Sequence, residues 1–158
     1  MARAHTASAL IQELETAGIE YETIPHERTA TALAEARALH VEPAMVAKTV
    51  VLSTPKGIVR AVLPASGRVD VGKVRTTLDV ERVDLLTESA LAGAYPEFEL
   101  GAVPPVGGPH GDRVLVDIGV CEHEFVVFDA GTHDTSIRIA SADLVGLESV
   151  LIADICAD

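Results

Sequence analysis

Tryptophan is absent from this chain of 158 residues, and the aromatics are Tyr21, Tyr95, Phe98, Phe125 and Phe128 alone. A core must therefore be built from Val, Leu, Ile and Ala, and there are too few rings for a surface that stacks many bases. Cysteine is nearly absent as well. Cys121 and Cys156 form no CxxC pair, so neither a disulfide framework nor a zinc ribbon is suggested, although a single bridge stays open. A reducing, cytoplasmic setting fits this usage best. No apolar run nears the roughly 20 residues that cross a bilayer. The N-terminus reads as an amphipathic helix carrying Glu13 and Glu15, not as a secretory leader.

Missing motifs narrow the chemistry further. The chain has no GxSxG elbow, no Walker loop and no dinucleotide fingerprint. Cys121-x-His123 lacks the second half of any familiar ligand set, so no metal is expected. No pair of carboxylates can be nominated for glycosidase-like work.

What is present is a hydrophobic content of 48%, enough for one folded domain spanning residues 1–158. The formal charge of −12 is uneven. Residues 1–80 carry nine basic and nine acidic side chains, whereas residues 81–158 carry three and fifteen. Between residues 56 and 75, Lys56, Arg60, Arg68, Lys73 and Arg75 stand against Asp70 alone. This stretch is either a solvated face or a patch sized for one nucleic-acid end.

Periodicity predicts a helix over Thr6 to Ala17 stopped by Gly18, a strand over Ile19 to Ile24, and a helix over Thr31 to His40 capped by Thr29 or Thr31. Pro43 opens a short helix to Ala47. Val50 to Thr54 and Ile58 to Leu63 flank Pro55-Lys56-Gly57 as a hairpin. Asp70 caps a helix through Leu78, Val83 to Leu86 is a strand, and Thr87 caps a helix through Ala94. Strands follow at Val114 to Ile118, Phe125 to Phe128, Ser136 to Ala140 and Val150 to Ile155, with a short helix at Ala142 to Val145. Helices and strands do not alternate regularly. The expected class is α+β, with one mixed, strongly curved sheet flanked by helices.

Three places can hold chemistry. Seven of the eleven residues from Gly101 to Gly111 are Gly or Pro, which makes a loop of fixed shape with bare main chain. Amides of Gly101, Ala102, Val103, Val106 or Gly107 can polarise a carbonyl, or the segment is an ordinary connection. Lys48 is a lone ammonium amid apolar neighbours at a helix-to-strand junction, which snorkels to water or points into a cleft. His133, in the turn Asp129 to Asp134, can donate or move a proton near neutrality, or is simply solvated.

Four ordered matches carry a resemblance. They are Ala47-Lys48-Thr49-Val50-Val51, a hairpin ending at Leu63-Pro64, Gly101-x-x-x-Pro105-x-Gly107, and Gly131 ahead of Ile137-Arg138-Ile139-Ala140-x-x-Asp143-Leu144. Together they resemble the YbaK-like aminoacyl-tRNA deacylases, relatives of the editing domain inserted in bacterial prolyl-tRNA synthetases. The resemblance implies an α+β domain with a barrel-like mixed sheet that hydrolyses mischarged tRNA in trans without a cofactor. The amino acid removed would be small, of the alanine or cysteine type, carried on tRNA-Pro. It implies that Lys48 positions the charged 3′ end and that Gly101, Ala102, Val103 and Pro105 form the loop holding the ester carbonyl. Thr49, His26, Gly131 and His133 are then expected around the substrate. Lys56, Arg60, Arg68, Lys73 and Arg75 are expected to touch tRNA, with a synthetase as a possible further partner and neither membrane nor DNA. Many relatives carry Lys-Arg-Gly after the glycine matching Gly131, where this chain has Thr132-His133-Asp134. A binding module without turnover is the rival reading. The deacylase reading rests on Lys48 and the Gly101 loop meeting across one cleft.

Overall fold

The computed structural model describes residues 2–107 and 112–158, without the side chains of residues 2–8. Residues 108–111, the last part of the Gly/Pro-rich stretch, lie outside the described residues. Helix α1 (Ala2–Thr16) lays Leu10 and Leu14, both 0% exposed, on the core and ends at Gly18. Gly18 has φ +72°, a conformation that glycine adopts without a Cβ clash. Helices α2 (Ala32–Leu39), α3 (Val71–Leu78) and α4 (Glu88–Ala94) start at the caps Thr31, Asp70 and Thr87. In each, the cap oxygen accepts the N–H three residues on, at 3.1 Å. Pro43 opens only a 3-10 turn, Pro43–Met45, and α5 (Ser141–Val145) is a little over one turn.

The strands are β1 (Tyr21–Pro25), β2 (Ala47–Thr54), β3 (Gly57–Pro64), β4 (Asp84–Leu85), β5 (Arg113–Asp117), β6 (Phe125–Thr132), β7 (Thr135–Ala140) and β8 (Val150–Ala153). They form two sheets, not one. An antiparallel sheet has the order β1-β7-β6, and a mixed sheet has β4-β2-β3-β5-β8, in which β3, β5 and β8 run parallel. The expected single barrel-like sheet is therefore corrected: no closed or strongly curled sheet occurs among the described residues. The physical reason lies in β1, which pairs along its whole length with β7 instead of extending toward β2. The 3-10 turn after Pro43 then leaves a single bridge, Val46 to Val127, between the two layers.

Alternation along β2 and β3 divides the mixed sheet into two faces. Leu52, Val59, Ala61 and Leu63 pack with Val74 and Leu78 of α3. Ala47 and Val62 pack with Leu10, Leu14, Val106 and the β6–β7 residues Val126, Phe128 and Ile137. Val51 meets Tyr95, Phe98 and Val103. The Gly101 loop thus lies on the second face, between the mixed sheet and α1. Both cysteines are free thiols.

Candidate functional site

The loop gets its shape from one arginine. Arg60 of β3 is 2% exposed and its guanidinium is shared among three acceptors. Nη1 donates to the Pro104 carbonyl at 2.9 Å, Nη2 to the Gly107 carbonyl at 2.7 Å, and Nε to Asp112 at 2.8 Å. Tyr95 donates its hydroxyl to the same carboxylate at 2.5 Å, and Arg60 lies 4.9 Å from the centre of that ring. A planar fork with several donors can staple two carbonyls and a carboxylate at once, which a lysine cannot do. Pro104 and Pro105 fix φ between the stapled points, and Val103, Pro105 and Val106 are buried. At the far end Gly107 has φ +104°, and a Cβ there would lie 3.0 Å from the Leu10 Cα. The loop is therefore seated directly on the α1 backbone.

At its near end the loop is zipped to the β6–β7 turn. The Glu99 N–H donates to the Gly131 carbonyl at 2.8 Å, and the His133 N–H donates to the Glu99 carboxylate at 2.7 Å. His133 Nε2 lies 2.7 Å from the Leu100 carbonyl, an acceptor only, so Nε2 carries the proton. Gly101 has φ +81°, and a Cβ there would sit 3.4 Å from His133 Cε1. His133 is 9% exposed and holds the loop instead of reaching into solvent.

Behind His133 lie two carboxyls. Asp129 Oδ2 is 3.8 Å from His133 Nδ1, while Asp129 Oδ1 and Oε1 of Glu35 in α2 are both buried with no hydrogen-bond partner among the described residues, Glu35 being 1% exposed. Burial pushes Glu35 up to about 7, tempered by the Ser136 hydroxyl. It pushes Asp129 up to about 8, with the charge of Glu35 adding to it. His26 continues the chain, with Nε2 2.8 Å from Ser136 Oγ and Nδ1 2.6 Å from the Glu27 carbonyl. His26, Glu35 and Asp129 each offer a ligand atom within 4.8 Å of the others. Ser136 Oγ joins Glu35 to His26, so the arrangement reads as a hydrogen-bonded chain with Asp129 at its end.

The sign of the resulting pH dependence follows directly. The unfolded chain releases these two protons near pH 4, whereas the folded chain keeps them until about 7 and about 8. The folded state therefore binds more protons across that window, and stability falls as pH rises through it. Thermal unfolding should show a higher midpoint near pH 5 than near pH 8.5, and Glu35→Gln should flatten the difference. An unchanged slope in that variant would remove the pair as its source.

The loop faces a cleft of about 250 Å³ lined by Thr49, Val50, Val51, Leu85, Leu86, Leu91, Gly101 and Val103. Strand β4 reaches only Leu52 and Ser53 of β2, so the β2 edge at Lys48 to Val50 stays open beside it. The Ala102 N–H is spent on the Glu99 carbonyl at 3.0 Å, which removes Ala102 from the candidate donors. The amides of Gly101 and Val103 make no hydrogen bond among the described residues. A larger groove of about 760 Å³ lies elsewhere, between α1 and Leu147 to Ser149, but its charged lining is Glu13 and Glu148, which would repel a phosphate.

Of the residues expected at the site, Thr49, Gly101 and Val103 share this cleft, and Gly131, His133 and Pro105 support its loop. Lys48 is not brought to the loop, so the expected meeting of its ammonium with the Gly101 loop across one cleft is not found. Lys48 pairs with Leu63 and shares the face of Val50 and Leu52, on the α3 side, near enough to Cys156 to favour that thiolate. The strict alternation of a strand puts neighbours 48 and 49 on opposite faces. Lys48 is half-buried and has no ion pair or hydrogen bond among the described residues. His26 sits behind the turn, not in the cleft. Arg60 is internal, which corrects its expected place in a phosphate-facing patch. Lys73 is engaged with Asp154 and Asp158, at 3.2 and 3.0 Å. The exposed remainder of the patch is Lys56, Arg68 and Arg75.

Two features escaped sequence reasoning. Arg60 is the one charge within the apolar strand Ile58 to Leu63, and Glu35 is the one acid in the Ala/Leu-rich α2. A lone charge inside an apolar element was the available signal for each.

Comparison with known proteins places the fold and the family. Residues 26–147 match the family described as the Aminoacyl-tRNA editing domain. A candidate trans-editing enzyme for prolyl tRNA synthetase superposes with a TM-score of 0.85 at 24% identity, over 97% of this chain and 98% of that one. The hypothetical protein APE2540 gives 0.87 at 18% identity, over 94% and 99%. A candidate signal transduction protein from Marinobacter aquaeolei VT8 gives 0.70 at 15%, over 96% of this chain and 31% of that one. No curated protein matches. These structural likenesses establish the fold, and the match over residues 26–147 establishes that this chain belongs to the YbaK-like aminoacyl-tRNA editing domain family.

Proposed function

We propose that the chain is a trans-acting deacylase that hydrolyses the ester joining a small amino acid to a tRNA. The carrying observation is the cleft in which the open β2 edge at Thr49 faces Gly101 and Val103, whose amides make no hydrogen bond among the described residues. Water adds to the ester carbonyl, the charge that develops on oxygen is met by those amides, and the carbon–oxygen bond to the ribose breaks as the ribose oxygen takes a proton. An aminoacyl ester is already activated, so polarisation and placement can suffice without a side-chain nucleophile. A volume of about 250 Å³ with a mostly apolar lining admits a small amino acid. Because one structurally similar protein is described as acting for prolyl tRNA synthetase, tRNA-Pro is the first acceptor to test.

Lys48, on the other face of the open strand edge, is placed in this reading to hold a phosphate or ribose oxygen of the 3′ end while the amino acid enters beside Thr49. Lys48→Ala should lower kcat/KM on a mischarged tRNA about 10- to 100-fold, the range for losing one charged hydrogen bond. The melting temperature should stay nearly unchanged, since no partner of Lys48 is left behind. Equal activity in the variant would remove Lys48 from the mechanism.

One observation favours a second reading. With Arg60 internal and Lys73 paired, the exposed basic patch shrinks to Lys56, Arg68 and Arg75 on a chain of net charge −12. A module that captures an aminoacyl end, or a synthetase, without turnover needs no more than that. Salt titration separates the two: tRNA affinity that falls with rising salt supports direct phosphate contact, whereas salt-independent binding of a protein alone supports the module.

A further inference from the structure

The chain Glu27–His26–Ser136–Glu35–Asp129 can be counted proton by proton. Three contacts each need one hydrogen: His26 Nδ1 to the Glu27 carbonyl, His26 Nε2 to Ser136 Oγ, and Ser136 Oγ to Glu35. The serine hydroxyl supplies one and a neutral imidazole supplies another. One more proton must therefore reside on His26 or Glu35, and the buried carboxyls of Glu35 and Asp129, with ligand atoms within 4.8 Å of each other, cannot both ionise. That agrees with their setting, because neither Glu35 nor Asp129 has a lysine or arginine partner among the described residues. A proton shared by the two carboxyls satisfies Glu35 Oε1 and Asp129 Oδ1, which are both buried with no other hydrogen-bond partner among the described residues.

The proton matters to His133. Its Nε2–H donates to the Leu100 carbonyl, so in the neutral ring Nδ1 is a lone pair. Nδ1 is buried without a hydrogen-bond partner, and it faces Asp129 at 3.8 Å. A neutral carboxyl at Asp129 is compatible with that lone pair. An ionised one instead favours a proton on Nδ1, which a neutral ring can supply only by giving up Nε2–H. Two lone pairs would then oppose each other at Leu100, one residue before Gly101.

We propose that Asp129 is a positioning residue: the proton it shares with Glu35 sets the tautomer of His133, and that tautomer latches or frees the Gly101 loop. Other charges bear on this group. Glu99 adds negative charge at Asp129 while itself paired with Arg28 at 3.0 Å. Asp134 accepts the Thr132 and Thr135 hydroxyls, and His26 closes the chain on the β1 side. Its consequence for activity rests on the deacylase reading above, but the latch itself does not.

The test is the imidazole 15N spectrum of the intact protein, followed from about pH 6 to about pH 9 across the range where histidine tautomers are distinguishable. In wild type, His133 should be protonated at Nε2 at the lower end and move to the Nδ1–H form at the upper end. Asp129→Asn, whose amide can always donate to Nδ1, should hold the Nε2–H form throughout. Glu35→Gln, which removes the acidic neighbour and lets Asp129 ionise earlier, should shift the change to lower pH. A His133 tautomer that stays constant in wild type, or a change that is the same in both variants, would overturn the proposal. If the deacylase reading also holds, wild-type turnover falls at the alkaline end and Asp129→Asn keeps it. If no tRNA ester is hydrolysed at all, the spectra still decide the latch alone.

Discussion

Replacing Arg60 by alanine should be the most damaging single change in this protein, costing about 3–5 kcal/mol, the range for removing one partner of a buried ion pair. Asp112 would keep the Tyr95 hydroxyl but lose its cation, and the Pro104 and Gly107 carbonyls would lose both donors that reach them from Arg60. For a chain of this length that corresponds to a fall in melting temperature of about 6–20 °C. Arg60→Lys should recover little, because a single ammonium cannot reach two carbonyls and a carboxylate in one plane. A melting temperature within a degree or two of wild type in Arg60→Ala would mean that the loop is held by its prolines and its packing on α1, not by this guanidinium.

Gly101→Ala should produce the largest loss of activity for the least loss of structure. At φ +81° an added Cβ costs about 1–2 kcal/mol in backbone strain. Its distances to His133, 3.4 Å to Cε1 and 3.5 Å to Nε2, are at the close end of ordinary van der Waals contact, so the cost falls on the backbone beside the Leu100 hydrogen bond. The amides of Gly101 and Val103 would then move relative to the cleft. Loss of one such donor typically lowers kcat about 100- to 1,000-fold. The expected result is a folded protein, melting within several degrees of wild type, with deacylation down by that factor. Unimpaired turnover would show that these amides do not meet the reacting carbonyl.

Local signals made most of the fold legible in the sequence. Gly18, Thr31, Asp70 and Thr87 mark helix ends or starts through backbone chemistry that depends only on near neighbours, and all four fall where the structure has them. The Pro55-Lys56 turn fixes the β2–β3 register in the same way. Sheet partnership was not legible, since nothing within Ile19 to Ile24 says that β1 will pair with β7, more than a hundred residues on. That long-range choice splits the expected single sheet into two.

The site divides along the same line. The Gly101 loop could be found because glycine and proline act through their own φ. Arg60 was misplaced because counting charges along the chain treats every basic residue as exposed, whereas its strand partners are buried on both sides. Lys48 and Thr49 show a finer limit. The motif holding both is continuous in sequence, yet a strand turns adjacent side chains to opposite faces, so only Thr49 enters the cleft with Gly101. The Glu35–Asp129 pair joins α2 to β6, and no spacing rule connects positions so far apart.

The central claim is that the cleft between the β2 edge and the Gly101 loop hydrolyses a small aminoacyl ester. It is tested most directly by incubating the protein with tRNAs charged separately with alanine, cysteine, serine, threonine and proline, and following release of each free amino acid. The account predicts hydrolysis of alanyl or cysteinyl esters, abolished by Gly101→Ala, with prolyl-tRNA left intact. Tight binding of these tRNAs with no ester cleaved in any of them would contradict it.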